Sequence, residues 1–328
     1  MAQAFSRDEV RAAWIQAARL RTLPLAASGS FIAAGIAAHF GMFRAEVFAL
    51  MFVVSILLQV IANFADDYGD LAHGLDDETR VGPRRGMQRG IITPAQMRRA
   101  LIGMCAVTFL LGCALIAVAF TGGPAMGQNA WSATWFFVAL GVVAIAAAVL
   151  YTVGPHPYGY LGLGDIVSAL FFGVVAVAAG SYLYLYAFEP LALLAGVALG
   201  LPVAAVMNIN NMRDSTADAA KGKHTIANRL YAHGSQRGVQ AGEKTMRTYH
   251  VALVVCSFIL FEICVAMAAF PGSAVALIIL FPTAVPLLRA TGGVYRELDH
   301  TKLDRFMAPT SMGTVLLALG VTLALLLA

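Results

Sequence analysis

The sequence predicts an all-α protein that crosses a membrane many times, and three observations carry that prediction. Of its 328 residues, 59% are hydrophobic and only 12% are charged, about half the charged share of an ordinary soluble domain. Residues 22–43, 100–164, 166–188, 190–212 and 306–328 form five windows with no Asp, Glu, Lys or Arg. The windows are continuously apolar and do not alternate. They therefore read as helices and not as strands of a closed barrel, the other structure that satisfies its backbone polar groups in lipid.

At about 20 apolar residues per crossing, nine spans fit, near 22–40, 46–65, 100–120, 132–151, 163–186, 190–209, 248–269, 272–289 and 307–327. Ahead of the first, Asp8 to Arg21 reads as a short amphipathic helix on the inner leaflet, with Val10, Trp14, Ile15 and Ala18 toward lipid. The second and sixth spans each run into a cluster of acidic residues. Lys and Arg concentrate in cytoplasmic loops, and with the N-terminus inside, 21 of the 22 Lys and Arg lie on the inner side, Arg44 being the exception. The expectation is N-in and C-out, in a bacterial-type cytoplasmic membrane, with residues 1–21 a cytoplasmic segment. No linker divides the chain, so residues 1–328 read as one membrane domain. The net charge of +4 follows from positive-inside loops and predicts lipid, not nucleic acid, as the partner surface. Cys105, Cys113, Cys256 and Cys264 all fall inside spans and read as packing residues.

The two acidic clusters carry the chemistry. The first runs Asn63-Phe64-Ala65-Asp66-Asp67-Tyr68-Gly69-Asp70, with Asp76 beyond it; the second runs Asn210-Asn211-Met212-Arg213-Asp214-Ser215-Thr216-Ala217-Asp218, followed by Lys223. An offset of 144 residues places Asp66, Asp67, Asp70 and Gly74 on Asn210, Asn211, Asp214 and Asp218. That offset suggests two related four-helix halves plus a ninth helix, with both acidic ends opening on one side. Spacings of three and four keep such side chains on one helical face. A single Asp at a helix end is most simply a group meeting water, but two aligned clusters with Asn63 and Asn210 at membrane depth point to function. Mg²⁺ prefers a few carboxylates plus phosphate oxygens and water to a full protein cage. Two carboxylate faces could thus hold two Mg²⁺ ions with a diphosphate between them, capped by the basic loops that contain Arg85 and Lys223.

Specific motifs sharpen this reading. They are Arg21-Thr22-Leu23-Pro24-Leu25, Asp67-Tyr68-Gly69-Asp70, Gly82-Pro83-x-Arg85-Gly86-Met87-Gln88-x-Gly90, Tyr151-Thr152-Val153-Gly154, Pro157-Tyr158-Gly159-Tyr160-x-Gly162-x-Gly164-Asp165 and Asn208-Ile209-Asn210-Asn211-x-Arg213-Asp214. Together they make the chain resemble the UbiA superfamily of membrane aromatic prenyltransferases, and in particular its members acting on 1,4-dihydroxy-2-naphthoate. Two departures stand out. The superfamily usually has Asn where Asp66 stands, and often a third Asp where Gly74 stands, which makes Asp76 the substitute. The resemblance implies a Mg²⁺-dependent transfer of a polyprenyl group from polyprenyl diphosphate to the naphthoate ring, with loss of CO₂. It implies Asp66, Asp67, Asp70, Asp214 and Asp218 as metal ligands at the reacting centre. Tyr151 would face the allylic cation. Arg21, Asn63, Tyr68, Asp76, Arg85, Tyr160, Asn210, Asn211 and Lys223 would contact substrates, Arg21 taking the acceptor carboxylate and Lys223 phosphate. Ordinary membrane anchoring is the competing account of Arg21 and of each tyrosine. Two other functions stay open at this level: prenyl transfer to another acceptor such as 4-hydroxybenzoate, homogentisate or a sugar phosphate, and secondary transport. Transporters usually bind near the bilayer midplane on broken helices, whereas these acids sit together under a charged cap.

Overall fold

A computed structural model describes residues 5–75, 84–121, 129–269 and 274–328. Among them the protein is helical, with no strand. The helices are α1 (Arg7–Ala18), α2 (Leu23–His39), α3 (Ala45–Ala72), α4 (Pro94–Thr121), α5 (Asn129–Leu150), α6 (Gly164–Leu185), α7 (Pro190–Arg213), α8 (Ser215–Ala220), α9 (Ile226–Ser235), α10 (Val239–Ala268), α11 (Ala274–Arg296) and α12 (Met307–Leu327). Eight of these are long and apolar enough to cross a membrane by themselves; α2, at 17 residues, gives a ninth when paired with α1, from which it bends by 45°. The nine-span expectation agrees with this arrangement.

The helices overrun the expected spans on the acidic side. α3 continues past residue 65 to Ala72, and α10 begins at Val239, nine residues before its expected start at 248. The extra turns of α3 carry Asp66, Asp67 and Asp70, so the first acidic cluster stands on helix and not on loop. Prolines head α4 and α7, where a missing N–H costs nothing.

α2 is the central element. It packs on α3, α6, α7 and α12, and α12 in turn packs on α11 and α7. The largest apolar cluster joins Ile32 and Ile36 of α2 with Leu199 of α7, Phe261 of α10, Leu287 of α11 and Val321 of α12. Lipid supplies little hydrophobic drive between helices, so close approach at small residues holds such bundles together. Gly173 of α6 is a tight case: a Cβ there would lie 2.4 Å from the carbonyl oxygen of Gly196 on α7. Around it, Leu170–Ala179 is wound as a π-helix, a widened form that recurs at functional sites. On the outside, Leu110, Trp131, Ile278 and Phe281 are each more than 60% exposed, a lipid-facing surface that a soluble fold would bury.

The N-terminal helix corrects one expectation. A Ser6–Glu9 capping box starts α1, and Trp14 packs on Phe64 of α3 at 5.4 Å between ring centres. Val10, Trp14 and Ala18 pack with Ile61, Met87 and Ile92, so that face is turned onto the protein. Only Ile15 of the expected lipid-facing set is substantially exposed, at 45%.

Candidate active site at the polar end of the bundle

α3 and α7 bring the two acidic clusters to one end of the molecule. Asp66, Asp67 and Asp70 lie within the last two turns of α3, all buried. A helix C-terminus already carries partial negative charge, so three buried carboxylates there require cations. Arg85 supplies one: its Nη2 donates to Asp66 Oδ2 at 2.9 Å, and its Nη1 lies 3.2 Å from Asp67 Oδ1 and 3.0 Å from Asp70 Oδ2. Arg19 supplies the other, donating to Asp66 Oδ2 and, at 2.9 Å, to Asp67 Oδ1. Arg19 ends α1 in the left-handed region, at φ 52°, a conformation uncommon for a residue with a side chain. Burial opposes its charge, but Asp66 and Asp67 outweigh burial and hold its pKa above the ordinary value.

The second cluster is built differently. α7 stops at Arg213, Asp214 is its C-cap, and α8 restarts to carry Asp218. Arg213 binds Asp214 through Nε at 2.9 Å and Nη2 at 2.6 Å, and Nη2 also donates to Asn210 Oδ1 at 2.6 Å. Lys223 is buried between the clusters. Burial works against its charge, yet Asp70 and Asp218, with Tyr151 and Asp66, raise its pKa. Its Nζ sits 3.3 Å from Asp218 Oδ2 and 5.7 Å from the centre of the Tyr160 ring. Tyr160 donates to Asp70 Oδ1 at 3.1 Å; burial and that carboxylate push its phenol pKa up.

Between the helices lies a cavity of about 640 Å³, within the range of small-molecule sites. Its ionic end is formed by Arg19, Arg21, Asp66, Asp67, Arg85 and Arg213. Its body is apolar, with Met51, Leu115, Phe137, Phe172 and Leu183 among the walls. Tyr151 stands where the two parts meet, its hydroxyl on Met207 Sδ at 3.4 Å and its ring 5.5 Å from that of Tyr158. Gly69 allows the turn that carries Tyr151 to approach α3: a Cβ there would lie 2.3 Å from Thr152 O, and Thr152 Oγ1 donates to Ala65 O at 2.8 Å.

The sequence candidates thus divide. Asp66, Asp67, Asp70, Asp218, Arg85, Tyr160 and Lys223 form one ionic network, and Asn63, Asn210 and Tyr151 line the cavity. Asn63 donates to Ala18 O at 2.9 Å and so anchors α1. Asn211 faces away, donating to Asp165 Oδ1 at 2.9 Å. Tyr68 and Phe64 pack into the α1–α3 apolar cluster. Arg21 lines the cavity but pairs with Asp304 at 2.8 Å. Asp76 lies outside the described residues. Sequence reasoning gave Arg19, Arg213 and Asp304 no part in the site. Arg213 lies inside the Asn208-to-Asp214 motif and next to an acid, a usable signal; Asp304 carries none.

These residues suit a divalent cation such as Mg²⁺. The donors are hard carboxylate oxygens, and Asp218 Oδ2 is buried with no well-directed hydrogen bond. Among the described residues no three acidic, His or Cys side chains form a ready-made cage. A cation that takes its remaining ligands from phosphate and water needs none.

Comparison with known proteins agrees with this architecture. The model of the UbiA prenyltransferase family matches residues 27–319. The chain is 37% identical over 306 residues to 1,4-dihydroxy-2-naphthoate octaprenyltransferase of Escherichia coli, covering 93% of this chain and 92% of that protein. It is 38% identical over 322 residues to the protein of the same name from Haemophilus influenzae, covering 96% of each. The Mycobacterium tuberculosis protein of that name is 33% identical over 317 residues, covering 96% of this chain and 97% of its own. A solved structure from work on digeranylgeranylglyceryl phosphate synthase in membranes covers 98% of this chain and 100% of its own, with a TM-score of 0.55 and 14% identity. That likeness speaks to the fold alone.

Proposed function

The chain belongs to the UbiA prenyltransferase family, and from that premise we propose that it transfers a polyprenyl group from polyprenyl diphosphate to 1,4-dihydroxy-2-naphthoate, releasing diphosphate and CO₂ and giving demethylmenaquinol. The full-length relatives at 37% and 38% identity bear the name of that activity. The structural observation that carries the reading is the cavity, an apolar chamber ending on buried carboxylates and arginines. The charge distribution further supports a cytoplasmic-membrane protein whose site opens to the cytoplasm.

The residues divide the work by chemistry. The apolar walls would take the prenyl tail, and Arg19 and Arg85 at the ionic end of the cavity, with Lys223 on Asp218 nearby, are the cations available to diphosphate oxygens. Asp66, Asp67 and Asp70 on one side and Asp214 and Asp218 on the other would hold two Mg²⁺ ions. When bound, these ions supply Lewis-acid stabilisation of the departing diphosphate. As the allylic C–O bond breaks, its electron pair leaves with the diphosphate. The ring carbon bearing the carboxylate attacks the allylic cation; the C–COO⁻ bond then breaks and its electrons restore the aromatic ring. Tyr151 and Tyr158 line the cavity and would supply the π-density and exclusion of water that the cation needs. Arg21 is the group available to the acceptor's carboxylate.

The test is product analysis by mass spectrometry with purified protein, defined polyprenyl diphosphate and acceptor labelled in its carboxyl carbon. Label should leave as CO₂ in step with prenyl incorporation. A prenylated product that keeps its carboxyl group would move the acceptor to the 4-hydroxybenzoate type.

A further inference from the structure

The turn His300–Phe306 between α11 and α12 matches no motif, yet its Asp304 ties together two arginines of the cavity mouth. Arg21 lays its fork on this carboxylate, with Nη1 donating to Oδ2 at 2.8 Å and Nη2 to Oδ1 at 3.2 Å. Arg213 Nη1 donates to Oδ1 at 2.5 Å.

The two arginines are not equivalent. A guanidinium has five N–H donors. Arg213 directs Nε and one Nη2 proton to Asp214, the other Nη2 proton to Asn210, and Nη1 to Asp304 and to Met307 Sδ at 3.7 Å. It is buried and has no donor left over. Arg21 uses two donors, and its side chain is 42% exposed. Three N–H groups of Arg21 therefore remain for a ligand in the cavity it lines. One guanidinium is fixed; the other is held but available.

We propose that Asp304 is a positioning residue: anchored on Arg213, it aims Arg21 at the carboxylate of the aromatic acceptor. The proposal rests on the carboxylated acceptor of the preceding section. A long side chain pinned in advance loses less rotamer freedom when ligand binds, and a forked carboxylate partner fixes the plane in which the remaining donors point. Arg213 keeps its Nε and Nη2 bonds to Asp214 and Asn210 whether or not Asp304 is present, so the second acidic cluster has its own support. Arg19, Arg85 and Lys223 lie on the other acids and are untouched by Asp304.

The experiment measures dissociation constants of 1,4-dihydroxy-2-naphthoate and of polyprenyl diphosphate separately, on the full chain in detergent, by titration calorimetry. Asp304→Ala should weaken acceptor binding about tenfold, the size expected for a misdirected charge-assisted bond, and leave donor affinity within about twofold. Asp304→Glu should recover much of the loss. Arg21→Ala should weaken the acceptor at least as much, and adding Asp304→Ala to it should cost little more, since residues acting as one unit are non-additive. Equal weakening of both ligands, additive effects, or tighter acceptor binding in Asp304→Ala would each overturn the proposal. If the wild type prenylates a different carboxylated ring, the naphthoate reading fails, and the same cycle on that ring still decides the role of Asp304. If the wild type binds no carboxylated ring, both fall.

Discussion

At the scale of single residues, the site is a balance of buried charge. Asp66, Asp67 and Asp70 are tolerable at the end of α3 because Arg19 and Arg85 sit on them. Removing one partner of a buried ionic group typically costs about 3–5 kcal/mol. Arg85→Ala should therefore lower thermal stability in detergent, and added Mg²⁺ should restore more stability to this variant than to the wild type. An equal Mg²⁺ effect in both would argue against these acids as the metal site. Asp67→Asn and Asp214→Asn should each cut prenyl transfer by roughly 10²-fold or more, and a chelator should do the same to the unaltered enzyme. Full activity in either variant, or in chelator, would exclude the two-face arrangement. In the sequence the acids are legible by residue type and spacing, Arg85 and Lys223 by the basic loops that hold them, and Tyr151 by the family resemblance. It could not rank Arg19 against Arg21, because a left-handed residue at Arg19 decides which guanidinium turns inward, and no glycine marks that turn. Nor could it show Asp304, whose partner Arg21 lies 283 residues away.

At the scale of helices, rotation about the axis decides which candidates meet. Asp66, Asp67 and Asp70 share a face, while Phe64 and Tyr68, interleaved with them, point to α1 and its surroundings. The 144-residue offset correctly paired the polar ends of α3 and α7 but set Asn211 opposite Asp67, and Asn211 in fact turns to Asp165. The offset aligns positions along the chain and not the rotation of each helix about its axis, so it cannot say which of two neighbouring residues turns to the other cluster. Contacts between elements were equally hidden. Gly69 reads as a small residue in a motif, whereas its role is to admit the Tyr151–Thr152 turn against α3. Gly69→Ala places a methyl 2.3 Å from a backbone carbonyl. It should destabilise the protein by about 1–3 kcal/mol, as overpacking does, and lower activity by moving Tyr151. A melting curve with a parallel assay checks both, and an unchanged melting temperature would mean that the turn has room to yield.

At the scale of the whole molecule, composition alone determined most of the outcome. Long apolar stretches, most of them free of charge, gave the nine spans because in lipid a backbone must satisfy itself segment by segment, which leaves few alternatives to a helix. Orientation rests on the count of 21 basic residues to 1, and it predicts a labelling pattern. In a cysteine-free background, single cysteines replacing exposed Arg89 or Lys244 should resist an impermeant thiol reagent added to intact cells. One replacing exposed Ala187, at the opposite end between α6 and α7, should react. The reverse pattern would place the ionic mouth outside the cell.

The two arginines of the N-terminal segment also put a timetable on the making of this protein. Arg19 finds Asp66 and Asp67 only 47 and 48 residues later, so α1 can settle while the chain is still short. Arg21 must wait for Asp304, 283 residues downstream. At cellular rates of synthesis that wait is roughly 15–60 s. Until residue 304 has been made, a ribosome-bound chain can pair Arg19 with its acids but leaves Arg21 without its carboxylate. A copy that stops short of residue 304 would keep Arg19 on its acids and leave both Arg21 and Arg213 without the carboxylate they share.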